Sequence, residues 1–235
     1  NTYYQYGSPS FTVCSFGAGS NELFIGKCAP VFSWSIDSTN NLWKTVITAV
    51  GATVNQVTNI SLLTNFISIN HDRLRDMLYI WDAPTGTNSL RFRKYNTDTN
   101  TITSPTSIGG GALGGYDKIN AVDSNAYLLP SAPGATNPTA DGDCIEHNFI
   151  GLKSGSTELF SIGIIDASAN TVTAYDATFE IDITNDHGGV LAGKIPTHMT
   201  TARNINAPQT FISYVTFGDR IAYCDGSSGA WTLLA

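Results

Sequence analysis

The residues with the means to bind or react fall in three short runs. "DGDCIEHN" places Asp141, Asp143 and Glu146 just before His147. Carboxylate oxygens clustered at the end of a loop suit calcium, so Asp141, Asp143 and Glu146 are the candidate metal ligands. The glycine and ligand offsets of a helix–loop–helix calcium site are missing, and the run also reads as a solvated acidic turn. "NHDRLRD" sets His71, Asp72, Arg73, Arg75 and Asp76 between two strand-like runs. Compensating charges there make a soluble turn with local ion pairs, each worth well under about 1 kcal/mol. One of its arginines could also hold a substrate. "TNDHGG" puts Asp186 and His187 ahead of two glycines, which fits an acid–base pair or a plain turn.

Other catalytic signatures are missing. No Gly-x-Ser-x-Gly elbow occurs, and no cysteine has a catalytic context. "SIGGGALGGYD" is glycine-rich but lacks the Lys-Ser or Lys-Thr of a phosphate loop, so it reads as a connector. Retaining sugar hydrolysis needs two carboxylates about 5 Å apart, and 19 acidic residues offer many pairs. Aromatic side chains are the remaining signal. Most serve core packing, but Trp34, Trp43, Trp81 and Trp231 lie on or beside repeated turns. They are the candidates for stacking on a sugar ligand.

The elements that position these residues follow from the pattern of the chain. Its 235 residues are enough for a sizeable core, and we read them as a single all-β domain over 1–235. Alternating β-branched and aromatic runs mark short strands: "FTVCSF", "MLYIWD", "SLRFRKY", "TFEIDI", "FISYVTF" and "RIAYCD". "LWKTVITAVGATVNQV" has helical spacing. Its β-branched residues, and Gly51 at a cost of roughly 1 kcal/mol in a helix, favour strands there.

One hairpin pattern recurs. Asp37, Asn96, Asp166 and Asp225 each follow an apolar or aromatic residue, at spacings of 59, 70 and 59 residues. Asn41, Asn100, Asn170 or Gly229 stands four places on, and Trp43, Ile102, Val172 or Trp231 six places on. Asp or Asn starts such a turn by accepting a hydrogen bond from the backbone two residues ahead. Asn or Gly then tolerates a left-handed backbone. Phe11, Phe66, Phe149 and Phe211 are candidate openings of the four units. A small sheet unit at a near-constant period points to a propeller-like array of about four antiparallel units. A β-sandwich or jelly roll is the alternative. "MLYIWDAPTGTNSLRFRKYNTDTNTIT" resembles a propeller blade of kelch or Asp-box type. The kelch double glycine is absent, and "SIDSTNNLW" and "CDGSSGAW" only approximate the Asp-box order.

Composition narrows the environment. Charged residues make up 13% of the chain, against about 25% in an ordinary soluble domain, so Ser, Thr, Asn and Gly supply the polar surface. Net charge is -7 and no basic run exists, which argues against a nucleic-acid partner. No apolar stretch is long enough for a membrane-spanning helix. The opening "NTYYQYGSPS" suggests a processed product. These features favour a non-enzymatic extracellular or virion protein, structural or adhesive, that self-associates or meets other surface proteins and binds glycans. The alternative is a secreted glycoside hydrolase acting on polysaccharide. Calcium is the only cofactor the residues suggest.

Four cysteines, Cys14, Cys28, Cys144 and Cys224, suit disulfides in an oxidising compartment; four buried free thiols are the alternative. Cys14 with Cys28 is the first pairing, across the turn "GAGSN". A bridge from either to Cys224 is the rival. Closing about 15 residues contributes about 3 kcal/mol in the chain-entropy account. Thiol titration of the denatured, unreduced protein should therefore find fewer than four reactive groups; four would remove every bridge.

Overall fold

The computed structural model describes residues 31–48, 51–72, 76–84, 90–108, 116–127, 144–153, 158–167, 172–204 and 207–234. The chain divides into two compact units, residues 1–63 and 64–235. In the first, β1 (Val31–Ile36), β2 (Asn41–Thr48) and β3 (Gly51–Asn59) form an antiparallel sheet in chain order. The segment with helical spacing is thus β2 and β3. Its β-branched side chains lose little freedom on a pleated strand and more on a helix.

The second unit holds three further antiparallel sheets. The first contains β4 (Phe66–Asp72), β5 (Met77–Asp82), β6 (Leu90–Asn96) and β7 (Thr101–Ile102), with β8 (Thr106–Ile108) also on β6. The next contains β9 (Tyr116–Tyr127), β10 (Cys144–Lys153), β11 (Leu159–Ala167) and β12 (Val172–Asp182). The last contains β13 (Pro196–Asn204), β14 (Ala207–Phe217), β15 (Arg220–Asp225) and β16 (Ala230–Leu233). The chain is all-β, with four antiparallel meanders in succession. Phe66 does open a sheet. Phe149 and Phe211 lie inside second strands, which explains their uneven distances from the hairpin anchors. Phe11 lies outside the described residues.

Within 64–235 the arrangement is propeller-like. The first strands of the three sheets stand side by side, β9 against β4 and against β13. The β9–β12 sheet is covered on both faces. Tyr79, Trp81 and Phe92 of the preceding sheet pack with Ile119, Val122 and Phe149 on one face. On the other, Ala121, Ile150 and Phe160 pack with Val215, Phe217 and Ala222 of the following sheet. A two-layer sandwich would bury one face of each sheet.

The anchored turns are related but not identical. Asn96 Oδ1 accepts from the Asp98 and Thr99 amides, and Asp225 Oδ1 accepts from the Ser227 amide. Asn100 and Gly229, four places on, have φ of 56° and 71°. Both turns join the third and fourth strands of their sheets, with Asn96 opposite Thr101 and Asp225 opposite Ala230. The Asp37 turn is one residue shorter. Its left-handed residue is Asn40, with φ of 64°, and Asn41 already belongs to β2. Asp166 lies opposite Thr173, further from its turn, and Asn170 lies outside the described residues.

Strand β9 departs from simple alternation. Ile119 pairs with Gly151 but Ala121 pairs with Ile150, leaving Asn120 as an extra, bulged residue. A second slip leaves Asp117 extra between Lys118 and Tyr116. A bulge resets which face each following side chain takes. Ile119 and Val122 therefore reach one core, while Ala121 reaches the other. Gly151 permits this close approach. A Cβ there would stand 2.6 Å from the Lys118 carbonyl oxygen and 2.7 Å from Ile119 Cδ1. Gly151→Ala should cost about 1–3 kcal/mol through overpacking, read as a lower urea midpoint. An unchanged midpoint would show that β9 shifts without penalty.

Candidate functional site

The bulged stretch of β9 forms one wall of a cavity of about 190 Å³. Leu152, Phe160 and Ile183 supply apolar lining, from β10, β11 and the turn after β12. Phe160 and Ile183 are buried. The Ile183 amide donates to the Glu158 carbonyl at 3.2 Å, tying that turn to the start of β11. Ile195, 52% exposed, is an apolar lip.

Four polar side chains line the same cavity: Lys118, Asn120, Glu158 and Lys194. Lys194 is held by the Asp219 carboxylate. The ammonium draws that carboxyl below its ordinary range. Lys118 and Glu158 are exposed and make no ion pair among the described residues. Asn120 Oδ1 is buried and accepts no hydrogen bond among the described residues. An enclosed carbonyl oxygen without a donor is costly. The cavity thus combines an apolar lining, one enclosed acceptor, a free cation and a free anion.

Sequence reasoning missed all four of these polar residues. A signal was present in "YDKINAVDSN": alternation holds through Lys118, Ile119 and Asn120, then slips at Ala121–Val122, opposite the lone glycine of "NFIGLK".

The sequence candidates are dispersed. Trp81 is fully buried, with Phe92 and His147 rings centred 5.0 and 4.7 Å away. Trp34 is 3% exposed, and the Lys44 ammonium lies 5.3 Å from its ring centre. Neither offers a ring face to a sugar in this structure, because strand packing encloses both. Trp43 is half-buried and donates its Nε1 hydrogen to Asp37 Oδ2 at 2.9 Å. Trp231 is half-buried against Phe217, with Nε1 3.4 Å from the Phe179 carbonyl oxygen.

Asp141 and Asp143 lie outside the described residues, and Glu146 is placed only as a residue of β10 opposite Asn125 and Asp166. Cys14 and Cys28 also lie outside them, so that bridge is not described. Cys224 is a free, buried thiol, which corrects the rival bridge. Burial, with Asp225 alongside, pushes its pKa up to about 12, leaving little thiolate at neutral pH.

The charged turns divide differently from expectation. Asp72 is buried rather than solvated, and Arg73 and Arg75 lie outside the described residues. Asp186 and His187 do form an exposed turn, where Asp186 Oδ2 accepts from the Asp182 amide at 2.9 Å. Asn59, the acceptor of the sequon "NIS", is exposed. Its Nδ2 already donates to the Thr39 carbonyl and to Asn41 Oδ1.

No protein-family model and no curated protein matches this chain.

His147 is fully buried, and desolvation, with repulsion from Lys94, lowers its pKa to about 3. An unfolded chain titrates this imidazole near 6.5. Above that pH both states are neutral and the fold keeps its full stability. As pH falls from about 6.5 towards 3, the unfolded chain gains a proton that the folded chain does not. Stability should drop by up to about 1.4 kcal/mol per pH unit from this residue. Chemical unfolding at pH 7, 6 and 5 should show that slope, and His147→Phe should flatten it. An equal slope in both proteins would assign the loss to other groups.

Proposed function

We propose that this chain is a non-enzymatic, glycan-binding module of an extracellular surface or a virion, structural or adhesive in role, that associates with copies of itself or with other surface proteins. The supporting observation is how the fold uses its carboxylates. Asp37, Asp182 and Asp225 are lowered in pKa chiefly by side-chain hydrogen bonds, from Trp43, Asn185 and Ser227 respectively. Backbone amides within the same turns reinforce the effect. A glycosidase acid requires the opposite, a carboxyl held protonated near neutral pH. Buried Asp82 is likewise committed, accepting from Arg91 Nε at 3.1 Å and from the Thr64 amide at 2.9 Å. These acids serve as turn formers and ion-pair partners, which favours a scaffold over a polysaccharide hydrolase.

Kinship with kelch-type or Asp-box-type blades belongs to the same reading. Its support is the last hairpin, where Asp225, Gly229 and half-buried Trp231 occupy the turn, the left-handed position and the returning strand.

A glycan array with an assay for released reducing sugar tests the proposal, alongside light scattering for self-association. The expected outcome is capture without turnover. Catalytic release of sugar would overturn it, and so would a monomer that captures no glycan and no surface protein.

A further inference from the structure

We infer that the outer edge of β3 is the surface through which this protein self-associates, with β3 of a second copy pairing antiparallel to it about a two-fold axis. This rests on the surface-module reading above and names the contact through which copies meet. Among the described residues β3 ends the first sheet, which has three strands, while each of the others has at least four. Native sheets protect such edges with short strands, charges or proline. The outermost strands of the second unit do so. β7 and β8 have two and three residues and β16 has four. β12, though eleven residues long, carries Asp176, Glu180 and Asp182. β3 has nine residues, "GATVNQVTN", with no charge and no proline. Residues 51–56 are all exposed, Val54 to 59%.

The backbone of this edge is self-complementary. Thr48 and Gly51 stand opposite each other only three positions apart, which in an antiparallel pair requires that they bond to each other. Bonded and non-bonded pairs alternate along the ladder, so Ala52, Val54 and Gln56 turn their N–H and C=O groups away from β2. The bulge at Val57, between the partners of Leu42 and Trp43, ends this regular stretch. A two-fold axis at Val54 sets Val54 opposite Val54 of the second copy and Ala52 opposite Gln56, so each outward group meets another outward group. Thr53 then stands opposite Asn55. No like charges oppose one another, and the two exposed valines cover each other's apolar surface. The edge offers no charge to select a foreign strand, whereas its own copy matches it in length, register and polarity. The contact is small beside the roughly 800 Å² per partner of a standard interface, so the dimer is weak and reversible.

Sedimentation equilibrium of the full chain from about 1 μM to about 1 mM, the range in which weak association is read, tests this. The mass should rise towards two copies and stop there. Val54→Lys sets like charges together at the axis and should weaken the dimer at least about tenfold. Its unfolding temperature should change little, because the position is exposed. Val54→Cys is the second variant. Its thiols face each other across a bonded pair about 5.5 Å apart at Cα, within disulfide reach. Oxidation with copper phenanthroline should give a covalent dimer from Val54→Cys. Ile221→Cys, at an exposed position on β15, should give no more than wild type.

A monomer at every concentration, growth past two copies, association that Val54→Lys leaves unchanged, or equal cross-linking of both cysteine variants would overturn the inference. The first of these would assign the edge to another segment of this chain or to a foreign strand. If that monomer still captures glycan or a surface protein, the surface-module reading stands without the β3 contact. If it captures neither, that reading falls as well.

Discussion

The close approach of β9 to β10 at Gly151 is the constraint on which the second unit depends. With no Cβ at Gly151, the Lys118 carbonyl and the Ile119 side chain can occupy the space above it. The bulge at Asn120 then carries β9 into a new phase. As a result Val122 faces one core and Ala121 the other. Asp123 reaches the following sheet, where its Oδ2 accepts from the buried Thr201 amide at 2.7 Å. On the opposite side Ser68 Oγ donates to the Val122 carbonyl at 3.0 Å. The middle sheet is therefore bonded to a neighbour on each side. Both links need the register that the bulge sets, since a one-residue slip exchanges the faces of a strand.

The Thr201 link extends inward. Its hydroxyl lies 2.8 Å from that of Ser213, and both residues are buried. Buried hydrogen bonds of this kind contribute modestly when made and cost more when one partner is lost. They add directional specificity that apolar contacts between flat sheets lack. Asn148, opposite Asp123 and fully buried, makes no side-chain hydrogen bond among the described residues.

A chain with few charges uses them mainly to build. Asp37 gathers the Thr39 and Asn41 amides and the Trp43 indole around one turn. Asp82 forms ion pairs with both Arg91 and Arg93 inside the second unit. Lys153 pairs with Glu180 at 2.6 Å. Lys118 and Glu158 stand apart from this pattern. Among the described residues both are free of ion pairs, and both line one cavity with Asn120.

The sequence by itself determined the all-β character, most strand positions and the recurring hairpins. "MLYIWD" and "RIAYCD" are β5 and β15 to the residue, because alternation and turn chemistry act between neighbours and are written in the local order of side chains. Asn96 and Asp225 start their turns as their type demands. Tertiary structure decided what depends on a partner strand. Whether Trp81 meets solvent or the rings of Phe92 and His147 turns on packing across strands and between sheets. Lys118, Glu158 and Lys194 are far apart in the chain and share a cavity only because β9, the start of β11 and the turns after β12 converge. Asn120 is one more polar residue in an alternating strand until Gly151, on the next strand, lets the backbone bulge.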